Sequence, residues 1–234
     1  MARKEDLRRQ RDGTIINVTS KQQETGLGTA LREVVARITD EFGVLLEHQS
    51  QWKLADIVET LTRNYPEIDF EYHFETSAMR PDGGVLSMVD GHGVAHPILI
   101  TEVKNQGTND LRKAEGKPKQ AKGNAIERLG KNVIGFRTAM LTETIMPFLC
   151  FGYGCDFADD SSILDRVSTI AMFGPLNTIN VVNQGEGGVF NRGSFFFRED
   201  EWTVVEMVEI MGDVAKRSIY YYFAKYGESA FTTT

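Results

Sequence analysis

The 234-residue sequence predicts an α/β protein, a mixed β-sheet flanked by helices. Three observations carry this expectation. Apolar residues recur at helical spacing near both ends of the chain, runs with strand length and strand period fill the middle, and a long amphipathic segment separates two of those runs, as a crossover between strands requires. The 41% hydrophobic and 25% charged content is that of an ordinary globular chain and excludes collagen-like, disulfide-dense and disordered classes.

The elements follow in order. Residues 1–13 carry Arg3, Lys4, Arg8, Arg9 and Arg11 before an Asp12-Gly13 turn and have little to bury, so a mobile basic arm is expected. They lack the apolar run of a signal peptide, and no later stretch is long enough to span a bilayer; a soluble cytoplasmic protein with no membrane partner is expected. From Thr29, the residues Leu31, Val34, Val35, Ile38, Phe42, Leu45 and Leu46 recur at helical spacing. Leu54, Ile57, Val58 and Leu61 repeat that spacing until Pro66 ends the second helix. Ile68, Phe70, Tyr72 and Phe74 then alternate with Asp69, Glu71 and His73, the period of a half-buried strand.

Two further strands, Gly84 to Val89 and Ala95 to Lys104, flank Asp90-Gly91-His92-Gly93, a hairpin signal. A polar, lysine-rich loop to about Lys122 leads into a helix from Asn124 to about Leu141, with Ile126, Leu129, Val133, Phe136 and Met140 on one face. The apolar run Ile145 to Tyr153 supplies the next strand. A short helix around Ser161 to Met172, strands near Ile179 to Val182 and Ser194 to Phe197, and a helix from about Glu201 to Tyr226 complete one domain over residues 1–234. Cys150 and Cys155 stand among aromatic residues and read as buried reduced thiols. His92 and His96 read as a solvated hairpin tip rather than a zinc site, and neither Gly26-Leu27-Gly28 nor Gly185-Glu186-Gly187-Gly188 has the strand-to-helix context of a phosphate loop.

Chemistry concentrates on the hairpin. Folded about His92, it places Asp82 opposite Glu102, with Cβ atoms about 5 Å apart. Lys104, two residues on, shares that face. Two opposed carboxylates need a neutralising partner, and a hard divalent cation such as Mg²⁺ takes a few carboxylate oxygens and completes its shell with water and phosphate. A lysine beside such a centre can orient an attacking water and offset charge developing on a phosphoryl group. Spacing alone is equally compatible with a surface ion pair beside a Pro-Asp-Gly-Gly turn. The start of the 124–141 helix is open in the same way: Asn124 and Arg128 share a face and can read bases, or serve as an N-cap and a solvated charge.

Pro81-Asp82-Gly83-Gly84, Glu102-Val103-Lys104-Asn105-Gln106-Gly107 and Gly123-Asn124-Ala125-Ile126-Glu127-Arg128 together resemble the EcoRI restriction endonuclease family of the PD-(D/E)XK nuclease superfamily. The likeness covers roughly residues 78–183 and returns more weakly at 201–213. It implies a restriction-endonuclease-like core and a homodimeric, Mg²⁺-dependent type II enzyme that hydrolyses double-stranded DNA at a palindrome centred on AATT, leaving 5′-phosphate ends. It further implies metal ligation by Asp82, Glu102 and the Val103 carbonyl, with Lys104 positioning the water. DNA contacts are implied for Gln106, Lys122, Gly123, Asn124, Ala125 and Arg128, with Glu127 supporting the arginine. Arg166 matches one of two arginines expected near an outer guanine, with Ile163 replacing the other, while Lys122 stands where a relative cutting CAATTG carries a basic residue; GAATTC is favoured. A prokaryotic host is implied. The alternatives are a structure-specific or repair nuclease of the same superfamily and a non-catalytic DNA-binding module.

The net charge of −7 argues at first against a polyanionic partner. Residues 104–137, however, hold nine basic and three acidic side chains, a basic strip on an acidic chain. Its nine cations are Lys104, Arg112, Lys113, Lys117, Lys119, Lys122, Arg128, Lys131 and Arg137.

Overall fold

The structure, a computed structural model, describes residues 15–105, 116, 118, 124–154, 157, 164, 168–169, 175–183 and 185–232, with the backbone alone at 15–20 and 124–128. The basic arm, Cys155 and most of the segments 106–123 and 161–172 lie outside the described residues. Helix α1 (Ile15–Phe42) leads into strands β1 (Leu46–Gln49) and β2 (Trp52–Lys53), helix α2 (Leu54–Asn64) and strand β3 (Ala78–Met79). Strands β4 (Val85–Val89) and β5 (Ala95–Asn105), helix α3 (Asn124–Ala139), strands β6 (Phe148–Tyr153) and β7 (Ser194–Arg198) and helix α4 (Val204–Tyr226) follow.

Five strands form one sheet in the order β1-β4-β5-β6-β7, and β2 and β3 pair separately. The pairs β1–β4 and β4–β5 are antiparallel, whereas β5–β6 and β6–β7 are parallel. β5 is therefore the strand at which the sheet changes direction. The crossover from β5 to β6 contains α3, whose Leu129, Val133 and Phe136 are buried as their spacing predicts, as is Met140 just past its end. Phe136 stacks on Phe148 at 5.6 Å between centroids, which fixes α3 on the face that Phe148, Cys150 and Gly152 share by strand period. On the other face Phe151 meets Trp202 at 5.3 Å, beneath α1 and α4. The result is a helix–sheet–helix sandwich, the expected α/β class.

Several boundaries differ from expectation for identifiable reasons. The first helix starts at Ile15 rather than Thr29 and encloses Gly26 and Gly28; a Cβ on Gly26 would lie 3.3 Å from Met207 of α4, so the small residue permits close helix packing. It ends at Phe42, where Gly43 takes φ +62 and its N–H donates to Thr39 O at 2.9 Å. Leu46 is thereby released to the sheet. No strand forms over residues 68–74: Ile68, Tyr72 and Phe74 are exposed, and of the alternating residues Phe70 alone packs, against the small cluster of Ile57, Leu61 and Ala139. The edge of the sheet is instead the polar β1, a composition that discourages pairing with another chain. The expected strand at 179–182 reduces to one bridge, Ile145 to Val182. Residues 186–190 form a 3₁₀ turn after Gly185.

His96 departs from the solvated tip expected of it. It is buried, with Nε2 3.1 Å from Asp90 Oδ2 and its ring packed against Tyr222, Tyr226 and Phe231 at 5.0–5.2 Å. It clamps the C-terminal end of α4 onto the hairpin. At the other end of α4, Thr203 and Glu206 form a capping box, and Arg198 grips Glu206 through two bonds of 2.7 and 2.8 Å. The Arg198 and Thr203 bonds hold the Glu206 carboxyl down to about 2 from an ordinary 4.5. A depressed carboxyl adds stability above its unfolded value, and that stability is lost as pH falls through the folded one. The melting-temperature gap between wild type and E206Q is therefore expected to be full above pH 4.5 and to close toward pH 2, measured by thermal denaturation across that range.

Candidate active site

The turn before β4 is built by glycine. Gly84 takes φ +75 and its N–H donates to Pro81 O at 3.0 Å; a Cβ there would lie 2.5 Å from both Gln49 O and His48 Nε2. Gly83 is confined as well, because its Cβ would meet Thr101 Oγ1 at 2.0 Å. His48 Nε2 donates to Gly83 O at 3.0 Å and ties the turn to β1. Asp82 is fixed by this packing at the mouth of the sheet.

The hairpin register is not uniform. Pairing about His92 holds from Val89–Ala95 to Ser87–Pro97, and a bulge then places Leu86 opposite Leu99 and Val85 opposite Ile100. Extended to the turn, that register sets Asp82 against Val103 rather than Glu102. The bonds agree: Val103 N–H donates to Asp82 Oδ2 at 3.1 Å, while the Asp82 N–H donates to Glu102 Oε2 at 3.2 Å. Lys104 Nζ donates to Asp82 Oδ2 at 3.1 Å and also contacts Glu102 Oε1. The expected cluster of Asp82, Glu102, Val103 and Lys104 is thus assembled, with a one-residue offset.

Burial sets the electrostatics. Glu102 is 1% exposed, and loss of water raises its carboxyl above the usual range, with Asp82 pushing the same way and Lys104 opposing. For Lys104 burial works against the charge, but the Glu102 and Asp82 carboxylates outweigh it and raise the ammonium further. The lysine is held as a cation. Cys150 pairs with Glu102 in the β5–β6 register; it is a free, buried thiol, pushed well up by burial and therefore inert. A cleft of about 100 Å³ opens beside these groups, lined by Gln23, Glu24, Asp82, Val103, Lys104, Asn105 and Tyr153.

Three contributors escape the sequence pattern. Asn132 of α3 donates through Nδ2 to Glu102 Oε1 at 3.0 Å. Its interval of four from Arg128 and eight from Asn124 was the available signal. Gln23 and Glu24 come from α1, where nothing in the sequence distinguishes them; Gln23 is buried, bonded to Trp202 O at 3.3 Å, and its Oε1 has no partner among the described residues. Of the expected DNA-contacting residues, Asn124, Ala125, Glu127 and Arg128 fall on the first turns of α3, with only their backbone described. Gln106, Lys122, Gly123 and Arg166 lie outside the described residues.

A mixed sheet that gathers Asp, Glu and Lys at the carboxyl end of the strand where it changes direction has the core of a restriction-endonuclease-like nuclease. The family described as restriction endonuclease EcoRI matches residues 10–163. The chain is 31% identical over 242 residues to the type II restriction enzyme RsrI of Cereibacter sphaeroides, covering 88% of this chain and 87% of that one. It is 25% identical over 236 residues to the type II restriction enzyme EcoRI of Escherichia coli, covering 86% and 85%. The chain belongs to the EcoRI restriction endonuclease family and is a type II restriction endonuclease. Because Gly84 sits at φ +75 against backbone, G84A is expected to lose at least about 2 kcal/mol, or roughly 4–8 °C of melting temperature, measured by calorimetry.

Proposed function

We propose that the enzyme is a Mg²⁺-dependent homodimer that cuts double-stranded DNA at a palindrome centred on AATT, GAATTC in preference to CAATTG, and leaves 5′-phosphate ends. The observation that carries this reading is the meeting of Asp82, Glu102 and Lys104, where a buried carboxylate, a second carboxylate and a fixed ammonium share hydrogen bonds beside a cleft that Asp82 and Lys104 line.

The donor set fits Mg²⁺. Asp82 and Glu102 would supply hard carboxylate oxygens and the Val103 carbonyl a third, while Gln23 Oε1, without a partner among the described residues, is an acceptor in the cleft lined by Asp82 and Val103 suited to a bound water. When bound, Mg²⁺ supplies Lewis-acid polarisation of the scissile phosphate and a more acidic water. Lys104 would orient the attacking water and offset the negative charge that develops on the phosphoryl oxygens, and its own proton stays on Nζ because both carboxylates retain it. The water oxygen bonds to phosphorus as the bond from phosphorus to the 3′ oxygen breaks; the attacking water gives up a proton to solvent and the 3′ oxygen takes one from solvent, leaving a 5′-phosphate and a 3′-hydroxyl.

Asn124, Ala125 and Arg128 on the first turns of α3 are proposed to read the AATT bases, with Glu127 orienting the arginine and Gly123 allowing close approach to the backbone. Gln106, Lys122 and Arg166 are proposed to complete the contacts, the last at the outer pair. A two-fold dimer matches a two-fold site, one subunit cutting each strand. The bacterial relatives support a role in the bacterial cytoplasm. No helix among the described residues is long and apolar enough to cross a membrane.

Digestion of a plasmid of known sequence in Mg²⁺ is expected to give discrete fragments whose sequenced ends lie at GAATTC. Random or structure-dependent cuts would refute the reading. D82A, E102A and K104A are each expected to lower cleavage by about 10²-fold or more while a GAATTC duplex still binds, measured by single-turnover kinetics and gel retardation. Because burial raises the Glu102 carboxyl, the rate at low Mg²⁺ is expected to fall on acidification from above the usual carboxylate range, and saturating Mg²⁺ to move that limb down, read from pH–rate profiles at two Mg²⁺ concentrations. Binding through the basic strip should weaken steeply with salt.

A further inference from the structure

We propose that Asn132 is a positioning residue that ties the Glu102 carboxylate to α3, so that the seating of α3 on DNA sets the geometry of the catalytic carboxylate. Glu102 is buried to 1% exposure, so its orientation is governed by its protein partners rather than by water. Those partners are the Asp82 N–H on Oε2 and, on Oε1, the Lys104 ammonium and the Asn132 amide at 3.0 Å. Asp82 and Lys104 belong to the same hairpin as Glu102 and move with it. Asn132 alone among the described side chains brings a bond to this carboxylate from a helix.

That helix transmits position well. Leu129 and Val133, on either side of Asn132 in the chain, are fully buried, so this part of α3 packs as a rigid body against the sheet. Positions 124, 128 and 132 follow one another at one-turn intervals, and Asn132 lies about 12 Å along the axis from Asn124. A shift at the first turn therefore reaches Glu102 through one amide. The proposal rests on the reading that the first turns of α3 meet the bases.

Three variants test it, N132A, N132D and, as a control that weakens the core in the C-terminal half of α4 without touching α3, I219A. Three quantities are measured: the single-turnover rates on a GAATTC duplex and on one with a single altered pair, the affinity for the first duplex without divalent metal, and the rise in melting temperature of the DNA-free protein with Mg²⁺. N132A is expected to cut the GAATTC duplex about tenfold more slowly or worse, as loss of one hydrogen bond to a charged group implies, with affinity within twofold of wild type. Its rate ratio between the two duplexes should shrink, and Mg²⁺ should stabilise it less. N132D, which keeps the shape but presents a carboxylate to Glu102, should lose at least as much. I219A should melt earlier yet keep the rate ratio and the Mg²⁺ effect. Wild-type behaviour of N132A, an unchanged ratio despite a slower rate, or an I219A that loses the ratio equally would overturn the proposal. A wild-type protein that cuts both duplexes alike would refute base reading by α3 itself, and the Mg²⁺ effect in N132A would then separately decide whether Asn132 holds Glu102.

Discussion

A carboxylate buried at the end of β5 constrains everything around it. Water that would hydrate Glu102 has been excluded, and a charge in that position persists only where cations and N–H donors stand in for water. Lys104, the Asp82 N–H and Asn132 meet that need, each from a different place in the chain. The Lys104 cation is in turn retained by the two carboxylates it serves. Each member is therefore defined by the others, which explains why the turn carrying Asp82 is held so tightly by glycines 83 and 84, His48 and Thr101.

Much of this was legible in the sequence, and the exceptions have physical causes. The hairpin and α3 declared themselves through strict periodicity because both lie on the core, and Leu129, Val133, Phe136 and Met140 are all buried as their spacing requires. The same signal misled at residues 68–74, where alternation exists but only Phe70 finds apolar neighbours while Ile68, Tyr72 and Phe74 stay exposed. It also misled at His96, whose glycine neighbours suggested solvent although the end of α4 folds over it. Local pattern records what a segment can bury, not whether a partner arrives.

The site was legible in composition and inexact in register. Asp82, Glu102 and Lys104 converge as the spacing implied, yet a bulge between Leu86 and Ser87 moves Asp82 onto Val103. A bulge of one residue is invisible to a pairing sum, and the cluster tolerates it because Asp82 engages Glu102 by its backbone N–H rather than by facing it across the strands. Asn132 and Gln23 were illegible for a different reason: a polar residue on an amphipathic helix looks solvated until the tertiary fold supplies something for it to hold.

Topology explains why these distant segments meet. β5 has an antiparallel neighbour on one side and a parallel one on the other, so the chain entering β4 and the chain leaving β5 lie at the same end of the sheet. The entering chain brings Asp82, β5 itself brings Glu102, Val103 and Lys104, and the crossover that must follow a parallel pairing returns as α3 and brings Asn132. Ligand sites in open sheets gather outside carboxyl ends where strand direction or order changes, because loops separate there and leave a crevice. In this protein the crevice is closed from the far face by Gln23 and Glu24 of α1. A change of strand direction at β5 thus brings two carboxylates, a cation and the helix proposed to read DNA into one hydrogen-bonded cluster, although 50 residues separate Asp82 from Asn132.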